Sequence, residues 1–379
     1  MKRADSSKPK RDSVRHPSLI AGQATAAGTE RFAGRFAGRF APDFFRSTTA
    51  GLTVSSIGIG TYLGECDDDE DRRYTRVVTE GVRRGINLVD TAINYRCQRS
   101  ERAVGKALRT IVDEGIAERD EIVVCTKGGY VPLEGAPPVS RIEYDTYLDE
   151  FYFSPSIMSK NDVVAGGHCV RPRFLADQIE RSRHNLGVER IDLFYLHNPE
   201  QQLDSLDRPR FMSTIQDAFA ELESQAVAGH IGAYGCATWN GLRVTPASKN
   251  HLSLTDLLET ARRVGGKGHH FRFVQLPVNL AMTEAVRSAT QTVHDQPASV
   301  VDAARELQLS IVASASLMQA QLSRNLPPAI KSLFPDLDTD AQRAIAFVRS
   351  LPVSSALVGM RSLDHLEENL AAGSAVIRA

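Results

Sequence analysis

The amino-acid sequence predicts an α/β fold: a closed (β/α)8 TIM barrel with a disordered N-terminal tail and one long insertion after the third strand. Three observations carry that expectation. From about residue 44 onward, eight short apolar runs recur, and each is followed by a segment with helical spacing. The runs are nearly continuous in apolar residues instead of alternating, as strands buried on both faces must be. A count of eight strand-helix units matches a barrel better than an open sheet.

The chain begins differently. Up to about Glu30 it is rich in Lys, Arg, Ser, Ala and Gly and poor in large apolar groups, which reads as a disordered tail. A short repeat follows, Arg31-Phe32-Ala33-Gly34, Arg35-Phe36-Ala37-Gly38, Arg39-Phe40-Ala41. It can be an anchor for a membrane or partner, or a duplicated stretch of tail packing loosely on the barrel; the second reading is adopted. Residues 1–43 are therefore set apart as a disordered, low-complexity extension, and 44–379 as the barrel domain.

The strands are expected at 54–60, 87–92, 122–128, 192–197, 231–237, 273–279, 309–316 and 356–360. The helices are expected at 72–84, 101–114, 173–186, 211–228, 254–264, 299–307, 339–349 and 363–371. After the first strand, Gly58, Gly60 and Gly64 superficially resemble a phosphate-binding glycine loop. No helix opens at once, and the acidic run Asp67, Asp68, Asp69 and Glu70 would repel a pyrophosphate, so the motif is discounted.

The insertion occupies 129–172 and lacks a strong period. It carries Tyr130, Tyr144, Tyr147, Phe151, Tyr152 and Phe153, an aromatic load that favours an ordered lid over a disordered loop. His168 and Cys169 near its end raise a metal or a thiol nucleophile as readings. Neither has a second His or Cys nearby in sequence, so a lid that shapes a substrate pocket is the better account.

Bulk properties narrow the function classes. Lys and Arg total 45 against 46 Asp and Glu, a net charge of -1, which gives no general reason to expect nucleic acid or an anionic membrane as partner. No apolar run approaches the length of a membrane span. The five cysteines are scattered without a CxxC pair, which argues against a disulfide framework or structural zinc and fits a reducing cytosol. The basic N-terminus has no apolar core, so it does not read as a secretory signal, and a cytoplasmic location is expected.

Chemistry in a barrel sits at the C-terminal ends of strands. Those ends supply Asp90, Lys127 and His197, with Tyr95 in the loop after Asp90. Each alone has a bland reading, as a solvated edge group or a satisfied structural histidine. Four titratable groups closing apolar runs on one rim are harder to explain that way. Together they suit carbonyl reduction, where hydride addition builds charge on oxygen and a proton donor must meet it. A tyrosine hydroxyl, with a reference pKa of about 10, needs a neighbouring ammonium to lower that value. Lys127 is placed to supply it, Asp90 to hold Lys127, and His197 to orient the substrate oxygen. The hydride requires a cofactor.

These residues also carry a resemblance. The segment Asp90-Thr91-Ala92-Ile93-Asn94-Tyr95, the Gly105-Lys106-Ala107-Leu108 that continues it, Thr126-Lys127, and the block ending Leu196-His197-Asn198-Pro199 resemble the aldo-keto reductase superfamily over about 51–370. The resemblance implies Tyr95 as general acid/base, with Asp90, Lys127 and His197 in the roles above. It implies an extended nicotinamide cofactor, NADP(H) favoured over NAD(H), and a small carbonyl or alcohol substrate such as an aldehyde, ketone or sugar. Thr238 and Gln275 would contact the carboxamide, with Ser314 and Leu317 beside the ring. Gly359, Arg361, Glu368 and Asn369 would hold the adenosine end, Arg361 facing a 2′-phosphate.

The sequence departs from the family pattern at two points. Gly235-Cys236-Ala237-Thr238-Trp239 stands where G-x-S-N-F is common, and Ser314 stands where an aromatic often stacks. Trp239 either compensates or packs in the barrel rim, and packing is the reading adopted. Two other classes compete with the enzyme. One is a nicotinamide-binding regulatory protein with little turnover. The other is a metal-dependent barrel hydrolase, which the absence of paired ligands at strand ends argues against; no metal is expected.

Overall fold

A computed structural model describes residues 18–375. The expectation of disorder for the basic stretch 1–17 lies outside the described residues. Eight parallel strands close into a barrel: β1 (Ile57–Gly60), β2 (Leu88–Asp90), β3 (Val123–Gly128), β4 (Ile191–His197), β5 (Ile231–Ala237), β6 (Phe271–Pro277), β7 (Ser310–Ser314) and β8 (Ser355–Gly359). They pair in chain order, and β8 closes on β1 through the register Val358 to Ile59. The expected eight helices surround them, from Asp68–Arg83 after β1 to Leu363–Ala371 after β8.

The strands read as continuous apolar runs because each is covered twice. One set of side chains points into the barrel, where Leu88, Val123, Cys125, Leu193, Tyr195, Phe273, Val312 and Leu357 fill the interior. The alternate set, including Ile59, Val89, Val124, Phe194, Val274 and Ile311, packs against the helix ring. All five cysteines are free thiols, and four of them are buried.

The N-terminal boundary differs from the expectation. Residues 18–43 are not a loose tail among the described residues. Ala26–Arg35 is a helix capped by Thr25, whose Oγ1 accepts from Gly28 N at 2.9 Å. Just before it, Ala24 N donates to Asp192 Oδ1 at 2.6 Å, inside the bottom of the barrel. Asp192 also takes Arg119 at 2.8 Å. The helix lies so close that a Cβ on Gly28 would fall 2.3 Å from the Asp120 carbonyl oxygen.

The Arg-Phe-Ala-Gly repeat explains itself here. Four residues are nearly one helical turn, so Phe32 and Phe36 share a face. The ladder continues past the helix end: Phe32 to Phe36 at 5.1 Å, Phe36 to Phe40 at 6.4 Å, and Phe40 stacked on Phe44 at 4.0 Å. Arg31 and Arg35 pair with Asp120 and Glu121, and the Arg35 guanidinium lies over the Phe32 ring at 4.9 Å. The first expected strand is also split: Thr53–Ser55 turns back antiparallel to Phe45–Ser47 across the barrel floor, and only Ile57–Gly60 enters the barrel.

The insertion is ordered and has its own small core of Val131, Leu148, Tyr152, Met158 and Cys169 against Phe174 of the following helix. It leaves the barrel at Gly129, whose φ is +143° and whose added Cβ would meet the His197 carbonyl oxygen at 2.9 Å. Glycine is required there for both reasons.

Phe32 is fully buried at the barrel floor. Replacing it with Ala is expected to cost about 3–5 kcal/mol of stability. Urea unfolding should show the loss as a lowered midpoint at unchanged slope; an unchanged midpoint would return the repeat to the status of a loose tail.

Candidate active site

The C-terminal ends of the strands open into a cleft of about 1160 Å³. Asp90, Tyr95 and His197 line it, and Lys127 lies directly beneath them, fully buried. The register sets this arrangement: Asp90 on β2 pairs beside Cys125, two residues before Lys127 on β3, and Lys127 pairs beside Tyr195, two before His197 on β4.

Lys127 Nζ donates to Asp90 Oδ1 in a close ion pair, and to the Thr91 carbonyl at 2.8 Å. Across the barrel, Gln275 Nε2 donates to Asp90 Oδ2 at 2.8 Å. Nζ sits 4.8 Å from the centre of the Tyr95 ring. Burial alone would lower the Lys127 pKa, but Asp90 and Tyr95 outweigh it and hold the ammonium above its ordinary value. Lys127 is therefore a fixed positive charge under Tyr95.

The consequence for Tyr95 corrects the simple expectation of a lowered pKa. Burial raises its hydroxyl above the ordinary tyrosine value, and Lys127 pulls in the opposite direction without reversing it. Tyr95 rests as the protonated acid. It is held by an unusual loop: Arg96, Cys97 and Gln98 have φ of 48°, 54° and 69°. Three consecutive left-handed non-glycine residues need external support. Arg96 provides it by clasping the Glu65 carbonyl at 2.7 Å and the Asp71 carboxylate at 2.7 Å.

His197 is neutral. Burial lowers its pKa well below the usual value, with Lys127 and His168 adding to the effect. His168, from the insertion, is committed to protein partners on both ring nitrogens. Its Nδ1 accepts from Gln202 Nε2 at 2.8 Å, so its Nε2 donates to the His197 carbonyl at 2.7 Å. It therefore pins the end of β4. Cys169 is buried and its thiol pKa is pushed up to about 12, which fits packing and not nucleophilic attack.

The eight residues assigned to the cofactor, Thr238, Gln275, Ser314, Leu317, Gly359, Arg361, Glu368 and Asn369, all line this same cleft. Several buried polar atoms in it have no protein partner: Thr238 Oγ1, Ser316 Oγ, Asn94 Oδ1 and His197 Nδ1. Such orphans ask for a polar ligand. Gln275 offers less than expected to a carboxamide, since its amide nitrogen is committed to Asp90. Trp239 does not pack in the rim as expected; it is 46% exposed and faces the cleft. Tyr130 is what the insertion contributes to the lining, its ring 4.9 Å from that of His197.

Other contributors were not legible in the sequence. Glu200 is buried beside β5 and accepts from the backbone N–H groups of Trp239, Asn240 and Gly241 at 2.8, 3.0 and 3.1 Å, which fixes the loop that carries Thr238. Arg324 lines the cleft and makes no ion pair among the described residues.

With this geometry in view, comparison with known proteins gives a consistent answer. The model of the aldo/keto reductase family matches residues 56–257, more than half of the chain. The chain belongs to that family. It is 29% identical over 194 residues to a D-threo-aldose 1-dehydrogenase of a Pseudomonas species, covering 50% of this chain and 51% of that one. It is 27% identical, also over 194 residues, to an NADH-specific methylglyoxal reductase of Escherichia coli, covering 50% of each. The chain thus spans about half the length of these two curated relatives. An aldo/keto reductase from Klebsiella pneumoniae, solved in complex with NADP and acetate, shares the fold at a TM-score of 0.58 and 18% identity, over 89% of this chain and 92% of that one.

The His168 contact makes a pH prediction. Burial lowers its pKa to about 4, against 6.5 when unfolded. Below 6.5 the unfolded chain binds a proton that the folded chain refuses, so stability falls as pH drops from 6.5 toward 4. The loss attributable to this group is on the order of 3 kcal/mol. Unfolding free energies measured between pH 7 and 4 should show a shallower acid limb in His168→Gln than in wild type; identical limbs would remove His168 as a neutral clamp.

Proposed function

We propose that the chain is an NAD(P)H-dependent oxidoreductase that reduces the carbonyl of an aldehyde, ketone or sugar, or oxidises the corresponding alcohol. The observation that carries this reading is the protonated Tyr95 over the buried Lys127–Asp90 pair, at the mouth of a cleft whose buried polar atoms lack partners. The orphaned Thr238 and Ser316 hydroxyls and the cation Arg361 suit the polar groups of a nicotinamide dinucleotide, and the cleft has room for it. Bound there, that cofactor supplies or accepts the hydride.

The chain's own residues handle the oxygen and its proton. The neutral His197 orients the carbonyl by a hydrogen bond and adds no competing charge. Tyr95 donates its hydroxyl proton as charge develops on that oxygen. Lys127 stabilises the phenolate this leaves behind, and Asp90 keeps Lys127 in place and charged. In the reverse direction the phenolate takes the proton from an alcohol. Trp239, Tyr62 and Tyr130 surround the entry with aromatic surface, which suits a substrate with an apolar face beside its carbonyl.

Purified protein given a nicotinamide dinucleotide and a panel of aldehydes should consume the cofactor. Tyr95→Phe should lower kcat by about 10²–10⁴-fold, the usual contribution of a positioned acid, while its cofactor Kd and far-ultraviolet circular dichroism match wild type. Turnover by Tyr95→Phe at the wild-type rate would refute the role given to Tyr95. Cofactor binding without turnover of any carbonyl would instead favour a regulatory dinucleotide sensor.

A further inference from the structure

The cleft has two ends. Tyr95 and His197 stand at one; Arg361, Ser362, His365, Glu368 and Asn369 stand at the other, around the N-terminus of the final helix. If the hydride is exchanged at Tyr95, an extended dinucleotide brings its adenosine ribose to this second end. The forms of the cofactor differ there by a single group, a hydroxyl or a phosphate on the ribose 2′ position. Three arginines line the cleft, Arg73, Arg324 and Arg361, and Arg361 is the one next to the N-terminus of the final helix.

Arg361 is already taken. Its Nε lies 2.9 Å from Oε1 of Glu70, whose side chain is only 4% exposed. Arg73, one turn along the same helix, reaches the other carboxylate oxygen at 3.5 Å. The carboxylate is held in place. Glu70 is in the first turn of Asp68–Arg83, where its N–H donates to the Asp67 cap at 2.8 Å. Its stem fills the space left by Gly64, where a Cβ would fall 2.5 Å from Glu70 Cγ. The neighbouring acids bring no spare cation, because Asp68, Asp69 and Asp71 are engaged by Arg99, Arg72 and Arg96.

A ribose 2′-phosphate arriving at Arg361 must either break the Glu70 pair or lie against its carboxylate, and like charges brought together in a partly dehydrated site repel strongly. A free 2′-hydroxyl carries no charge, so it neither competes with Glu70 for the guanidinium nor is repelled by the carboxylate. We propose that Glu70, by occupying Arg361, makes this site select the 2′-hydroxyl dinucleotide, NAD(H), over its 2′-phosphorylated form. This reverses the preference implied by the resemblance, which was argued from Arg361 without its partner. It rests on the dinucleotide reading above.

The test is direct binding, with no turnover required. NADH and NADPH are titrated against the full chain by their own fluorescence, and 5′-ADP and 2′,5′-ADP by calorimetry. Wild type should bind NADH and 5′-ADP more tightly than the 2′-phosphorylated partners by about tenfold or more. Glu70→Gln keeps the shape and removes the charge; it should tighten NADPH and 2′,5′-ADP about tenfold and weaken NADH slightly. That gain should vanish in the double variant with Arg361→Ala, since the cation it frees is gone. Tighter binding of NADPH by wild type, or an unchanged ratio in Glu70→Gln, overturns the proposal, and the wild-type ratio decides even if the variant does not fold. Binding of neither dinucleotide would sink the underlying cofactor reading, a different outcome from binding both with the phosphate preferred.

Discussion

The ion pair between Lys127 and Asp90 is the constraint on which the site depends. An ammonium and a carboxylate removed from water lose solvation that their attraction restores only when the geometry is good and the remaining lone pairs are used. Here they are used: Thr91 takes a second proton of Nζ, and Gln275 crosses the barrel to the free oxygen of Asp90. A buried pair of this kind is weak evidence for stability, because well-packed apolar residues commonly serve as well or better. In the function proposed, its value lies in a charge that cannot move, placed under the hydroxyl that would give up a proton. The closed barrel makes that possible, since adjacent strand ends are fixed by hydrogen bonds on both sides.

Around this centre the structure spends its polar contacts on strand ends and loop entries. His168 and Gln202 hold the carbonyl of His197. Glu200 gathers three N–H groups at the entry to the loop after β5. Arg96 supports the left-handed turn after Tyr95. None of these groups need touch the reacting atoms. Each removes a freedom from a residue that lines the cleft, which is how a rim made of loops acquires the precision of the strands beneath it.

The sequence made the centre legible and the periphery much less so. Asp90, Lys127 and His197 stand out because a titratable group ending an apolar run conflicts with local patterning, and such conflicts gather at functional sites. The N-terminal helix was hidden by composition: Ala, Gly and Arg around scattered Phe resemble a tail until the four-residue spacing of Phe32, Phe36 and Phe40 is placed on a helix. The floor hairpin was merged with β1 because both are short apolar runs with one turn residue between them. Trp239 went the wrong way because an apolar ring at a barrel rim has two homes, and only the position of the Glu200-held loop decides between them.

Arg361 and Glu70 show the limit of reading residues singly. In sequence Arg361 is a cation before a helix, a sensible phosphate ligand, and Glu70 closes an acidic run that counted only against an unrelated glycine motif. They are 291 positions apart in the chain and 2.9 Å apart in the fold. The closure of β8 on β1 brings them together, because it sets the final helix beside the first helix of the barrel. Strand-end chemistry is local and survives in the sequence; the sign of the charge that a ligand meets at the far end of the cleft is a sum over segments that only the closed barrel defines.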